Sequence, residues 1–225
     1  MNLLFRVLRK IKRIIQKITP PYIVPEILYS RRYGNLTVNK QLCSDAILST
    51  FDKGCKVLDK LGIDFYIGRG TLLGLHRDGN FISGDKDIDI DIFSDDQIYE
   101  IIQKMPFEVF LISNSNGHYQ QVAFLDKETN VIFDLWFYYK KEKQQQYINR
   151  NHYGYFSLPA NKVEKPHEIL FNGKKYNCLE PKWYCDYWYG KNWQTPEHYD
   201  GNWTSYYRKT CSAFKYLGLK NVINI

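Results

Sequence analysis

Apolar residues recur at helical spacing in two long segments of the chain. Residues 3–18 set an apolar face against a face of lysines and arginines, and residues 40–61 repeat the apolar spacing before Gly62. Because an α-helix turns about every 3.6 residues, this spacing collects the apolar side chains on one side. The sequence therefore predicts two amphipathic helices, a shorter one over residues 71–76, and another from a Ser94-Asp95-Asp96 cap to about residue 104.

Strand patterns occupy much of the remaining chain. Apolar runs bounded by turn residues predict strands, and residues 126–130 predict a hairpin turn between two of them. Residues 140–146 indicate a polar loop, and the chain from Pro181 onward is aromatic and rich in turn residues. A chain of 225 residues with this mixture indicates one domain of the α/β or α+β class. The predicted strands are residues 63–67, 88–93, 107–112, 119–125 and 131–139, with short strands around the Asn172-Gly173 turn.

Aspartates occupy alternate positions in one of these predicted strands. The order is Asp87-Ile88-Asp89-Ile90-Asp91-Ile92, and alternate side chains of a strand point to the same face. The isoleucines suit a core, whereas carboxylates stacked on one face repel each other unless a cation neutralises them. A divalent, oxygen-seeking cation such as Mg²⁺ meets that need.

A glycine turn precedes the aspartate strand. The segment Gly70-Thr71-Leu72-Leu73-Gly74 predicts a turn that opens a helix. A helix N-terminus presents backbone N–H groups to which a phosphate binds readily. A metal site beside a phosphate site indicates phosphoryl-group chemistry.

Asp134 is an isolated acid within the hydrophobic strand predicted over residues 131–139. A buried carboxylate is costly unless it is paired or bound to a metal, so Asp134 is a candidate third ligand from a neighbouring strand. The alternative is a water-facing position, because one face of an antiparallel sheet often meets solvent.

Several motifs occur in the order found in one known family, and together they resemble the LicD/fukutin signature over residues 45–200. The resemblance implies an α+β fold with a nucleotidyltransferase-like mixed sheet flanked by helices. It also implies transfer of a phospho-alcohol, such as phosphocholine or ribitol phosphate, from a CDP-activated donor to a glycan hydroxyl, with release of CMP. The motifs are Gly70-Thr71-Leu72-Leu73-Gly74, Arg77, Phe81-Ile82, Asp85-Lys86-Asp87-Ile88-Asp89-Ile90, Phe133-Asp134-Leu135 and Tyr189-Gly190-Lys191-Asn192-Trp193 before Pro196.

The resemblance assigns the acids to the metal and to proton transfer. Asp87, Asp89 and Asp134 would bind Mg²⁺ or Mn²⁺. One of these acids, or Asp85, would take the proton from the acceptor hydroxyl.

The resemblance also assigns phosphate contacts. Gly70 and Thr71 would hold the phosphates of the CDP-activated donor, and Arg77 would neutralise phosphate charge. The chain departs from the family pattern at Lys86 and at Asp91. Asp91 either joins the metal cluster or is a surface acid.

Most of the positive charge lies at the front of the chain. The net charge is +7, and six lysines and arginines lie within residues 6–17, before the first acid at Glu26. The remainder carries about +1, so the basic composition does not indicate a nucleic-acid partner. A one-sided basic helix is typical of attachment to an anionic membrane surface, here through residues 1–18. The alternative is that this helix packs on its own domain.

These features predict a basic helix with a connector over residues 1–36, followed by a catalytic domain over residues 37–225. The front helix is interrupted by charges and precedes no small-residue cleavage site, which argues against a membrane span or signal peptide. We therefore expect a cytoplasmic protein, peripheral at the inner face of the cell membrane. Five cysteines without a Cys-x-x-Cys pair indicate neither a disulfide framework nor a zinc site, and fit a reducing compartment.

The sequence leaves two other functions open. A nucleotidyltransferase would move an NMP to a small molecule or protein and release pyrophosphate. A non-catalytic glycan- or nucleotide-binding scaffold would leave the aligned aspartates without a role. Among further polar candidates, His118 and His152 are either structural or catalytic. The aromatic cluster of residues 183–193 either stacks acceptor sugars or belongs to the core.

Overall fold

The computed structural model of the chain describes residues 43–94, 97–115, 118–151, 154–196, 207 and 209–216. Its helices are α1 (Cys43–Lys60), α2 (Arg69–Arg77), α3 (Ile98–Lys104), α4 (Ala160–Val163) and α5 (Pro181–Tyr189). No helix in these ranges is both long enough and apolar enough to cross a bilayer. The predicted basic helix of residues 1–18 and its connector to residue 36 lie outside the described residues.

The strands form one mixed sheet and one antiparallel sheet. They are β1 (Phe65–Ile67), β2 (Asp87–Ile92), β3 (Glu108–Ser115), β4 (His118–Asp126), β5 (Val131–Phe137), β6 (Tyr139–Lys141), β7 (Gln146–Asn151), β8 (Gly154–Pro159), β9 (His167–Phe171), β10 (Lys174–Cys178) and β11 (Phe214–Tyr216). Seven strands are ordered β3-β4-β5-β2-β1-β10-β9, with parallel contacts at β5/β2 and β1/β10. Four strands are ordered β11-β8-β7-β6, all antiparallel.

The apolar face of β2 builds the main core, as its alternation predicts. Ile88 and Ile90 are fully buried and share one apolar cluster with Phe133 of β5 and Phe51 of α1. The aspartates of β2 alternate with these isoleucines, so they point to the other face, and Gly70 at the start of α2 donates a hydrogen bond to one of them, Asp89. The prediction of a mixed sheet flanked by helices is confirmed.

Two segments differ from the sequence prediction. Residues 140–146, predicted as a polar loop, carry β6, a 3₁₀ turn (Glu142–Gln144) and the start of β7, because β6 and β7 pair in the second sheet. Residues 181–189 form α5 instead of turns, whereas residues 191–195 are in turns as predicted. The Glu180 carboxylate accepts hydrogen bonds from two N–H groups of the first helical turn, and proline suits that turn.

Candidate active site

Two neighbouring parallel strands bring the predicted acids together. β2 lies beside β5, and Asp89 is directly opposite Asp134 in their register. Asp85 and Asp87 are hydrogen-bonded to each other, and the charge of Asp89 acts on both Asp85 and Asp134. Asp134 is only 1% exposed, so it occupies the buried position and not the water-facing alternative.

Burial and mutual repulsion make ionisation of these acids costly. Burial, followed by the charge of Asp87, raises the pKa of Asp89 to about 8. Burial also raises the pKa of Asp134 well above its ordinary value, and the charges of Asp89 and Asp87 add to this. The pKa of Asp85 is raised in the same way, by burial and then by Asp87. A positive charge placed among these carboxylates would therefore be strongly stabilised.

The glycine turn at the start of α2 holds Asp89 in place. The Gly70 N–H donates to Asp89 Oδ2 at 3.1 Å, and Thr71 Oγ1 accepts from the Asp89 N–H at 2.8 Å. A Cβ atom at Gly70 would lie 3.3 Å from Asp89 Oδ2 and equally close to Asp85 Oδ2, so a side chain here would crowd the carboxylates. The two predicted phosphate ligands therefore adjoin the acids and orient Asp89.

Side chains from β5 and β4 donate hydrogen bonds to the carboxylates of Asp89 and Asp134. Trp136 Nε1 donates to Asp89 Oδ1 at 3.1 Å, and Gln121 Nε2 donates to Asp134 Oδ2 at 2.6 Å. Asp134 Oδ1 is buried and has no hydrogen-bond partner in the described part of the chain. A buried acceptor without a partner is costly, so this oxygen is a candidate cation ligand.

Arg69, which was not predicted from the sequence as a site residue, is a buried cation beside the acids. It is 4% exposed, and its φ of +43° lies in the left-handed region that is uncommon for residues other than glycine. Its guanidinium carbon lies 3.6 Å from the ring centre of Trp136 and 4.6 Å from those of Phe156 and Trp188. These three rings form an aromatic cage, whose π-faces attract the positively charged guanidinium.

Asp91 is the counter-charge of Arg69. Asp91 Oδ1 lies 3.7 Å from Arg69 Nε, and the Tyr184 hydroxyl donates to Asp91 Oδ2 at 2.9 Å. The same hydroxyl accepts a hydrogen bond from the Arg69 backbone N–H at 2.9 Å. Burial raises the pKa of Asp91 to about 6, although Arg69 and Tyr184 act to lower it. Asp91 is 1% exposed and is therefore a buried acid paired with Arg69, not a surface acid.

Arg69 stays charged inside its cage. Burial alone would lower its pKa, but Tyr138 and Asp91 raise that pKa above its ordinary value. Arg69 Nη2 also donates to the Tyr138 hydroxyl at 3.1 Å. The site thus contains a fixed positive charge close to Asp89.

Arg77, the predicted phosphate ligand, lies at the far end of α2. It follows Gly70 by seven residues, which corresponds to about 10 Å along a helix axis. Its guanidinium donates to both carboxylate oxygens of Asp78, at 2.8 and 2.7 Å. The structure therefore places Arg77 outside the carboxylate cluster, and its action on phosphate stays a prediction.

The other sequence candidates lie elsewhere. His118 begins β4, where its ring lies 4.2 Å from that of Tyr139, and His152 is outside the described residues. Within the aromatic cluster of residues 183–193, Trp188 is fully buried, which favours the core alternative for that side chain.

The donor set fits a hard divalent cation. Asp87, Asp89 and Asp134 supply carboxylate oxygens, the ligands that Mg²⁺ and Mn²⁺ take in proteins, and one oxygen of Asp134 is unpartnered. Within the described ranges, no three His, Cys, Asp or Glu side chains already stand at metal-ligand spacing. The acids thus match the chemistry of such an ion without being set at coordination distance.

Curated relatives match the central part of the chain. Two proteins named "Ribitol-5-phosphate transferase FKTN", from Macaca fascicularis and Homo sapiens, are each 32% identical over 89 residues. The match covers 38% of this chain and 19% of each relative, so the chain spans about a fifth of their length.

Solved structures of ANT(2″)-Ia are similar over most of the chain at low sequence identity. A solution structure of this antibiotic-resistance factor has a TM-score of 0.43, and a crystal structure with adenylyl-2″-tobramycin has 0.41, both at 16% identity. They cover 80% and 78% of this chain, and 89% and 91% of those chains.

The sequence model described as "LicD/FKTN/FKRP, nucleotidyltransferase domain" matches residues 62–178. These residues make up 117 of the 225 and include the glycine turn, β2 and β5. The predicted nucleotidyltransferase-like mixed sheet is confirmed by this match together with the described architecture. The chain belongs to the LicD family.

Proposed function

We propose that this chain transfers a phospho-alcohol from a CDP-activated donor to a hydroxyl of a cell-surface glycan, in a divalent-metal-dependent reaction that releases CMP. Ribitol phosphate and phosphocholine are the leading candidates for the transferred group. The observation that carries the proposal is the register of Asp89 against Asp134, next to the glycine turn that binds Asp89. Family membership and the name of the FKTN relatives support a phospho-alcohol as the group transferred.

The described residues suit a reaction that depends on positioning and charge. Asp87, Asp89 and Asp134 would hold Mg²⁺ or Mn²⁺, which neutralises phosphoryl charge when bound. Asp89 is oriented from two sides, by the Gly70 N–H and by Trp136 Nε1. Such preorganisation reduces the cost of arranging charges during the reaction.

Proton removal from the acceptor hydroxyl falls to one of the same acids. Asp85 is the candidate outside the proposed ligand set, and it is hydrogen-bonded to Asp87. Burial and the charge of Asp87 raise the pKa of Asp85. A raised pKa makes a carboxylate a stronger base near neutral pH.

Product analysis tests the proposal. The purified protein is incubated with Mg²⁺, a glycan acceptor and a panel of CDP-alcohols that includes CDP-ribitol and CDP-choline. CMP should appear with at least one donor, and Asp89→Asn should lower the rate by ~100-fold or more because charge neutralisation at the phosphoryl group is lost. Asp52→Asn, on the exposed side of α1, is the matched control and should retain the wild-type rate.

Two outcomes would contradict this function. One is the absence of CMP with every CDP-alcohol tried. The other is a folded Asp89→Asn variant that turns over as fast as wild type, which would favour the scaffold alternative.

The second candidate function is transfer of an NMP with release of pyrophosphate. The description of the matching family model as a nucleotidyltransferase domain favours it. It would use the same carboxylates, but a different phosphorus atom would be attacked. Pyrophosphate released from ATP or CTP, without CMP from any CDP-alcohol, would support this candidate over the first.

We also propose that residues 1–18 attach the protein to an anionic membrane surface, so that it acts at the cytoplasmic face of the membrane. The support comes from the sequence: six lysines and arginines within residues 6–17 lie opposite an apolar helical face. Such helices bind by apolar burial together with attraction to anionic lipids.

A further inference from the structure

The phenol of Tyr189 is a buried donor without a partner. Tyr189 is the last residue of α5, and its hydroxyl oxygen is enclosed yet makes no hydrogen bond within the described residues. A buried polar group without a partner destabilises a fold, and such groups are tolerated where a ligand supplies the missing contact. The hydroxyl therefore indicates a role outside the stability of the fold.

Unpartnered buried polar atoms concentrate around the carboxylate site. Six buried side-chain atoms make no hydrogen bond among the described residues, and four of them belong to Arg69, Asp91, Asp134 and Tyr189, which are acids of the site or residues on which its acids act. Tyr189 contributes the only hydroxyl among the six. Arg69 Nε and Asp91 Oδ1 face each other as an ion pair, and Trp188, which supplies a fifth atom, contacts Arg69.

Tyr189 lies alongside α2. Its ring packs against the apolar cluster that contains Leu73. Leu73 follows Gly70 by three residues and precedes Arg77 by four, so the three residues share one face of α2. The charge of Asp89 acts on the Tyr189 phenol. Gly70 also donates its N–H to Asp89, so Tyr189 packs about one turn of α2 away from the residue that orients this acid.

The Tyr189 hydroxyl is a hydrogen-bond donor at neutral pH. Burial, followed by Tyr207 and Asp89, raises the pKa of Tyr189 well above its ordinary value of 10.0. The phenol therefore keeps its proton, and an anionic oxygen is the acceptor that suits it best.

We propose that Tyr189 is a catalytic residue that donates its hydroxyl hydrogen to an anionic phosphate oxygen of the nucleotide-activated donor bound at the acids. The identity of that donor rests on the function proposed above. A neutral donor aimed at a phosphoryl oxygen stabilises the charge that this oxygen carries during transfer, without repelling the metal-binding carboxylates.

The variant Tyr189→Phe tests the contact, because it removes one oxygen and leaves the ring. We expect kcat/KM for the CDP-alcohol to fall by ~100-fold, as happens when one donor to a reacting oxygen is removed. Its Tm should equal or exceed that of wild type, because no hydrogen bond is lost and an unpartnered group is removed. Its affinity for Mg²⁺ alone, measured by titration calorimetry, should be unchanged. Tyr176→Phe, on β10, is the control and should keep the wild-type rate.

The outcomes separate this inference from the proposed function. CMP release at equal rates by wild type and Tyr189→Phe would overturn the inference and leave the function intact. A clear fall in the Tm of Tyr189→Phe would also overturn it, because the hydroxyl would then have a structural partner. If wild type releases no CMP, the binding of CDP is measured by calorimetry. Weaker binding of CDP by Tyr189→Phe than by wild type supports the phosphate contact. Equal binding by the two proteins, or no binding of CDP by wild type, overturns it.

Discussion

Arg69 occupies a left-handed backbone position between two glycines and keeps its charge within three aromatic rings. The acids of β2 could be predicted because alternation along a strand is a local property of the sequence. The cage could not, since its rings come from β5, β8 and α5, which only the folded chain brings to Arg69. The one local signal was a bulky cation between Gly68 and Gly70. A Cβ atom at Gly68 would lie 2.5 Å from Asp91 Oδ2, so the turn admits no side chain there.

The pairing of Arg69 with Asp91 leads to a prediction about stability. Arg69→Gly relieves the positive φ, worth about 1–3 kcal/mol, but leaves Asp91 buried without its counter-charge, which costs about 3–5 kcal/mol. The difference between the two effects is centred on about 2 kcal/mol, so we expect the free energy of unfolding, measured with urea, to fall by roughly that amount. The double variant Arg69→Gly with Asp91→Asn should recover about 1 kcal/mol or more of this loss.

The control for backbone strain is Asn172→Gly, in the exposed β9–β10 turn, where φ is +48°. This change relieves a positive φ without removing a buried charge, so it should alter stability by no more than about 1 kcal/mol. An Arg69→Gly variant as stable as wild type, or strictly additive effects in the double variant, would show that the pair does not act as described.

At the scale of elements, the pairing of β2 with β5 sets the geometry of the site. Each strand was predicted separately, and their register places Asp89 opposite Asp134. The hairpin of β4 and β5 was also predicted, because its turn residues are local. The part of the second sheet formed by residues 140–146 was not predicted, because this segment is polar and forms strands only where β6 pairs with β7. Helix α5 was missed because an aromatic run resembles a loop until its buried face packs on Arg69.

The carboxylate cluster predicts how stability changes with pH. The pKa of Asp89 rises on folding from 3.8 to about 8, so the folded state favours its protonated form. The resulting stabilisation is present at low pH and is lost as the pH rises toward about 8. In EDTA, the Tm should therefore fall between pH 5 and pH 8, by roughly 5 °C or more. Mg²⁺ should restore the Tm at pH 8 more than at pH 5, because it binds the ionised acids.

The double variant Asp89→Asn with Asp134→Asn provides the control, because it removes two of the repelling charges. Its Tm in EDTA should change much less over the same range and should not respond to Mg²⁺. Acids with lowered pKa values, Asp126 and Asp186, oppose this trend only below their ordinary value of 3.8, outside the range measured. A wild-type Tm in EDTA that rises from pH 5 to pH 8 would contradict the assigned electrostatics.

At the scale of the whole molecule, the site lies where the two sheets and α5 meet. Arg69 contacts Trp136 of the mixed sheet, Phe156 of the antiparallel sheet and Trp188 of α5. The cage therefore requires both sheets, and the family match over residues 62–178 contains only part of it. The net positive charge of the chain is concentrated far from the site in sequence, because six of the net seven positive charges come from residues 6–17.

Deletion of residues 1–19 tests the role of this basic segment. The shortened protein should lose binding to vesicles that contain anionic phosphatidylserine, because both the cations and the apolar face are removed. Its circular dichroism and Tm should remain close to those of the full chain. Co-sedimentation with vesicles of neutral phosphatidylcholine is the control for charge. Vesicle binding equal to that of the full chain would show that this segment is not the anchor.

We propose that acids from β2 and β5 act as one unit on a phosphate-bearing donor. The most direct measurement is CMP release by Asp134→Asn, in the assay that defines the donor for wild type, with Asp52→Asn as control. Asp134 lies on the neighbouring strand and is 45 residues from Asp89, so only the described register links the two. We expect a folded Asp134→Asn protein whose rate is lower by ~100-fold or more. A folded variant that releases CMP at the wild-type rate would contradict it.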